Sequence, residues 1–117
     1  MLCNQHSFSN AEIFTHAIKT LKRGKVVGIP TAGGVISTKS SKLQDMGTLR
    51  VPIRGWFTPD GTDMEMNGAE PDIILWPTPE EQINGVDKQL ETAIQELLKD
   101  VKNVQPRFRK PVYKSQR

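Results

Sequence analysis

Asn4-Gln5-His6-Ser7-Phe8-Ser9-Asn10-Ala11-Glu12-Ile13-Phe14 is the stretch whose reading decides the fold. It reads as the end of a short strand, a sharp turn and the start of a helix. Ser9 stands at the junction, and its hydroxyl has two uses. Ser9-Asn10-Ala11-Glu12 matches the S-x-x-E capping box, in which a serine and a glutamate satisfy each other's free backbone donors. Phe8 and Ile13 then take the positions of a hydrophobic staple. In the other use, the hydroxyl stands exposed at a helix N-terminus and attacks a carbonyl. Free N–H groups and positive potential there stabilise an oxyanion, and the N–H of the next residue, Asn10, is the usual donor. A serine is a weak nucleophile without a base and a group to orient that base. His6 lies on the same turn in poor geometry for Ser9, and the chain offers no other evident base. Local pattern alone favours the cap.

Working outward, Met1-Leu2-Cys3 reads as the end of a buried strand, and its abrupt start suggests that more chain precedes it. After the turn, Ile13, Phe14, Ala17, Ile18 and Leu21 recur at helical spacing, with Gly24 as the stop. Lys25 to Ile29 is a second short buried strand. Strand, helix and strand with tight turns predict a βαβ unit with parallel strands. Pro30 to Gly34 is a glycine-bearing loop that lets backbone approach closely. Val35 to Lys42 is either a weak strand or a loop. Gly47 to Phe57 alternates as a strand, with Leu49, Val51 and Ile53 on one face and Arg50 and Arg54 on the other. Pro52 argues for an edge or a bulge. Thr58 to Thr62 is a turn, and Ile73 to Trp76 is a further buried strand. Pro77 to Glu81 begins a single helical turn. The clearest element is the last helix, capped by Asp87, with Leu90, Ala93, Ile94, Leu97, Leu98 and Val101 in one apolar stripe.

The 117 residues make one domain at most. The net charge of +3 is unevenly placed, because Arg107, Arg109, Lys110, Lys114 and Arg117 lie in a tail free of acids. Without those five, the rest carries −2, which does not suit a nucleic-acid platform. The tail, 103–117, is expected to be disordered, and residues 1–102 form the domain. One cysteine, Cys3, excludes an internal disulfide and reads as a buried thiol. No apolar run reaches membrane-spanning length, no signal peptide is present, and no metal-ligand or nucleotide-loop spacing occurs. No cofactor and no membrane or nucleic-acid partner is expected. His16 reads as a solvated helix residue, and Glu65, between two methionines in a loop, reads locally as solvated too.

Four segments follow one another in a familiar order: Asn4 to Phe14, Gly24-Lys25-Val26-Val27-Gly28, Thr31 to Ile36, and Glu65 to Ile73. With the closing helix they resemble, over residues 2 to 101, the C-terminal catalytic half of tricorn-type serine peptidases, relatives of the carboxyl-terminal processing proteases. The resemblance implies the C-terminal portion of an α/β, crotonase/ClpP-like βαβ sandwich. It implies Ser9 as nucleophile, the Asn10 backbone N–H as oxyanion donor, and Glu65 as the glutamate that orients a Ser-His-Ser-Glu tetrad. The histidine and second serine would lie on an upstream segment absent here, so the isolated chain should be inactive. The processing proteases instead use a lysine in a T-x-G-K-G loop. Here Gly34 holds the lysine position, which favours the tetrad branch. Phe8, where a glycine commonly precedes the nucleophile, Asn10 for an acid and Ala32 for an aromatic are departures that bear on substrate fit. The expected partners are a peptide substrate, the upstream segment and further copies of the chain. The expected compartment is open, with the cytoplasm favoured. The other reading is a non-catalytic binding or scaffold domain of the same fold. A third reading has the basic tail docking on nucleic acid or acidic partners.

Overall fold

The computed structural model describes residues 1–103. The chain runs β1 (Leu2–Cys3), α1 (Asn10–Thr20), β2 (Val27–Gly28), β3 (Ser37–Lys42), β4 (Thr48–Arg54), β5 (Ile73–Ile74), α2 (Pro79–Ile83) and α3 (Lys88–Asn103). β1, β2 and β5 form a parallel sheet with β2 in the middle, in register Leu2↔Val27, Cys3↔Gly28, Val27↔Ile73 and Gly28↔Ile74. The expected βαβ unit is therefore present. Cys3, Val26, Val27 and Ile29 are buried in it, joined by Val35, Met64 and Ala69 from the loops and Ala93 from α3. The Cys3 thiol is buried as expected and donates to the Ile29 carbonyl at 3.4 Å.

β3 and β4 form a separate antiparallel hairpin, which resolves the ambiguous stretch before Lys42 as a strand. The register slips between Ser37↔Arg54 and Thr38↔Pro52. The bulge thus falls beside Pro52, which has no N–H to give to a ladder. Leu49, Val51 and Ile53 do share a face, but it is exposed. The turn at Thr58 closes through N–H bonds from Gly61 to the Thr58 carbonyl and from Thr58 to the Thr62 carbonyl, both 2.9 Å.

Three expectations are corrected. α1 ends at Thr20, closed by Lys22 just beyond it at φ 49°, and not at Gly24. The N–H groups of Lys22 and Arg23 return to Lys19 and Ile18 carbonyls at 3.0 Å each, a Schellman closure. The Ile73 to Trp76 strand is short and lies at the sheet edge, with Trp76 68% exposed. The helices do not turn their apolar stripes into the described core. In α1 the fully buried residues are Glu12 and Thr15, while Phe14 and Leu21 are 57% and 64% exposed. α3 lies against β1 and β2 and buries only Ala93 of its stripe. The physical reason in α1 is that the loops beside it are backbone-rich, and free N–H and C=O groups need polar partners. Asp87 caps α3 as expected, accepting from Leu90 N–H at 2.9 Å. Thr78 begins α2, accepting from Glu81 N–H at 3.2 Å. The basic tail from residue 104 onward lies outside the described residues.

Candidate active site

Phe8 to Ala11 is a tight turn, closed by the Ala11 N–H to the Phe8 carbonyl at 3.1 Å. Ser9 occupies its second position with φ 57° and ψ −117°. These are the angles of a II′ turn, which ordinarily demands glycine there. A side chain in that region stores strain of order 1–3 kcal/mol and persists only where its surroundings hold it. The Ser9 hydroxyl makes no cap hydrogen bond; the Glu12 N–H goes instead to the Ser9 carbonyl oxygen at 2.9 Å. The capping-box pairing of Ser9 with Glu12 is kept, with the Ser9 side chain toward the Glu12 backbone but short of a hydrogen bond, and the Glu12 carboxylate accepts from the Ser9 N–H at 3.0 Å. The N–H of Asn10, at the start of α1, donates to no group among the described residues. A strained serine with an uncommitted hydroxyl thus sits beside a free backbone donor. His6 meets the neighbouring Gln5 side chain at 3.3 Å and is not engaged with Ser9.

Glu12 does far more than cap. It is fully buried. Oε1 accepts from Ser9 N–H and from Gly34 N–H at 2.9 Å, and Oε2 accepts from Gly33 N–H and the Thr31 hydroxyl at 2.6 Å each. Burial by itself would push this carboxyl up. The Thr31 hydroxyl and the N–H groups of Gly33, Gly34 and Ser9 more than offset it and hold the group below the ordinary glutamate range. Thr31 in turn accepts from Ala69 N–H at 2.7 Å.

Glu65 is half-buried on the following loop, and it is not merely solvated. Its Oε2 accepts from the N–H groups of Val35 and Ile36, both at 2.7 Å, and its Oε1 has no partner among the described residues. Ser9 and Glu65 do not touch. They are joined through the 31–36 loop, whose N–H groups at 33 and 34 go to Glu12 and at 35 and 36 to Glu65. Gly33 has to be glycine, with φ 78° and a Cβ position 3.1 Å from the Met66 backbone. At Gly34 a Cβ would stand 2.3 Å from the Phe8 ring.

His16 corrects the sequence reading. Its Nε2 bonds the Gly68 carbonyl at 3.0 Å, and Lys19 bonds the Glu70 carbonyl and pairs with Asp72 at 3.7 Å. Glu12, His16 and Lys19 follow at i, i+4 and i+7, one polar stripe that holds both site loops against α1. That spacing is visible in the sequence and was the missed signal. No group of three or more His, Cys, Asp or Glu placed to hold a metal occurs among the described residues, nor any helix long and apolar enough to cross a membrane.

Comparison with known proteins follows the same outline. The model of peptidase family S41 matches residues 1–75. Over 104 residues, 87% of the chain, 32% are identical to the tricorn protease of Thermoplasma acidophilum, a match that spans 10% of that relative. Among solved structures, the tricorn protease superposes on 87% of the chain with TM-score 0.77 and 27% identity, covering 10% of that structure. The photosystem II D1 C-terminal processing protease matches 63% of the chain with TM-score 0.56 and 31% identity, covering 19% of that structure. The chain therefore spans about a tenth of the length of the curated tricorn proteases it matches.

Proposed function

This chain belongs to peptidase family S41 and is tricorn-like, and on that premise we propose that it carries the nucleophile of a serine endopeptidase. Ser9 attacks the substrate carbonyl carbon, and its proton passes to a histidine supplied by an upstream segment. The Asn10 N–H stabilises the oxyanion. The adduct collapses to an acyl-serine as the amine leaves with that proton, and water then releases the acid. Glu65, through its uncommitted Oε1, orients the second serine of the tetrad. The substrate is a peptide. The domain, residues 1–102, is the C-terminal portion of a crotonase/ClpP-like sandwich.

The observation that carries this reading is the left-handed Ser9 with its hydroxyl uncommitted, next to the free Asn10 N–H. Its test is peptide cleavage by the chain joined to its upstream segment, with Ser9 and with Ser9→Ala. Equal turnover in the two would remove Ser9 from the mechanism, and the chain without that segment should not cleave. The exposed stripe residues Phe14, Leu21, Leu97 and Val101 support burial against that segment or against further copies. Sedimentation should show self-association of the unjoined chain, and a strictly monomeric species would contradict it. A non-catalytic scaffold of the same fold is the second reading. It is favoured by the Phe8 ring lying over Gly34 beside Ser9, and it predicts no cleavage by the joined protein.

A further inference from the structure

The four consecutive N–H groups from Gly33 to Ile36 are shared between two carboxylates, two to Glu12 and two to Glu65. Only Glu12 also holds the serine turn, through the Ser9 N–H. It is the one side chain among the described residues that bonds both the Ser9 turn and the 31–36 loop. It is also wholly enclosed, with all four acceptor bonds made from backbone or a buried hydroxyl. A neutral cap would need one of those bonds, not four. We propose that Glu12 is a positioning residue, a buried clamp that fixes the Ser9 turn against the loop carrying Glu65 and so sets the spacing and aim of the catalytic hydroxyl. The inference rests on Ser9 as the nucleophile.

The chemistry is specific to an ionised carboxylate. An amide of the same shape offers one acceptor oxygen and turns an NH2 group toward donors that already point at it, so two of the four bonds become donor against donor. The loop then moves off the turn. Displacing a reacting group by about 1 Å costs rate on the order of 10²-fold without weakening binding of the reagent.

The experiment follows the rate at which an alkyl fluorophosphonate labels the protein joined to its upstream segment, for wild type, S9A, E12Q and T15A. Labelling forms an Oγ–P bond and releases fluoride and the hydroxyl proton. S9A should be inert. E12Q should lose on the order of 10²-fold in the saturating rate with its half-saturating reagent concentration unchanged. T15A, altered on the same buried face of α1 but outside the clamp, should keep the wild-type rate, so that general loosening of the helix is excluded. If E12Q does not fold, T31V removes one donor to the carboxylate and should slow labelling, with T31S restoring it. S9A inert with E12Q, or failing that T31V, at the wild-type rate overturns the clamp and leaves the nucleophile standing. S9A labelled like wild type overturns the nucleophile, and the clamp falls with it.

Discussion

Replacing Ser9 by glycine should make the protein more stable while removing the hydroxyl proposed as its nucleophile. The residue sits at φ 57° and ψ −117° with no cap hydrogen bond from its hydroxyl. A side chain in that region costs of order 1–3 kcal/mol, which glycine would relieve. Against this stands the extra freedom glycine gives the unfolded chain, about 0.4–1 kcal/mol. The net expectation for Ser9→Gly is stabilisation by roughly 1 kcal/mol. Ser9→Ala keeps the strain and loses no cap bond, so its stability should be close to wild type. An ordinary N-cap predicts the opposite pattern: alanine would lose about 1 kcal/mol and glycine a few tenths. Urea unfolding followed by circular dichroism, at matched protein concentration, separates the two. For a domain of this size a 1 kcal/mol gain also raises the melting temperature by about 4–8 °C. If Ser9→Ala drops by about 1 kcal/mol and Ser9→Gly is no more stable than wild type, the hydroxyl is a cap and the strained-nucleophile argument fails.

Gly28 lies on the middle strand at φ 145°, where a Cβ would come within 1.8 Å of the Cys3 carbonyl oxygen. Backbone cannot yield there, so Gly28→Ala should destabilise at the top of the ~1–3 kcal/mol overpacking range, seen as a lower urea midpoint and faster reaction of the buried Cys3 thiol. Glu12 is held below the ordinary glutamate range, so its contribution is fully present above the unfolded carboxyl's pKa. That contribution is lost as pH falls through the lower folded value. The stability gap between wild type and Glu12→Gln should accordingly shrink on acidification, and a gap constant from neutral to acid pH would show that the charge is not what the loop needs. Gly34→Ala meets the Phe8 ring at 2.3 Å, a flexible neighbour, so the cost should be relieved in the double variant with Phe8→Ala. A coupling of about 0.5–3 kcal/mol in a double-mutant cycle is the expected result, and additive single effects would contradict the contact.

The elements legible in the sequence were those fixed by local chemistry. Asp87 caps its helix, Pro52 marks its bulge, and strand, helix and strand give the parallel β1–β2 pair. What could not be read was which face of each helix is buried, because that depends on what lies across from it. Apolar periodicity at Ile13, Phe14, Ala17, Ile18 and Leu21 predicts an inward stripe. The loops opposite α1, however, present N–H and C=O groups, and it is Glu12, His16 and Lys19 that meet them. The left-handed Ser9 was equally hidden, since no glycine or asparagine stands at position 9 to announce it. The carboxylate that bonds the Ser9 N–H also bonds the distant Gly34 N–H, so the turn is tied to a loop that local pattern does not show.

Phe8 and Gly34 make one contact. Phe8, just before Ser9, and Gly34, in the 31–36 loop, lie 26 residues apart in the sequence. In space the Phe8 ring occupies the room that any side chain on residue 34 would enter first, its Cε2 standing 2.3 Å from that Cβ position. A side chain at 34 alone would have to displace the ring. A glycine at 8 alone would leave a gap over Gly34. The Ser9 hydroxyl and the free Asn10 N–H stand on the same turn as that ring. On the proposed mechanism, the proton of Ser9 goes to a base other than residue 34, whose side-chain space the ring fills.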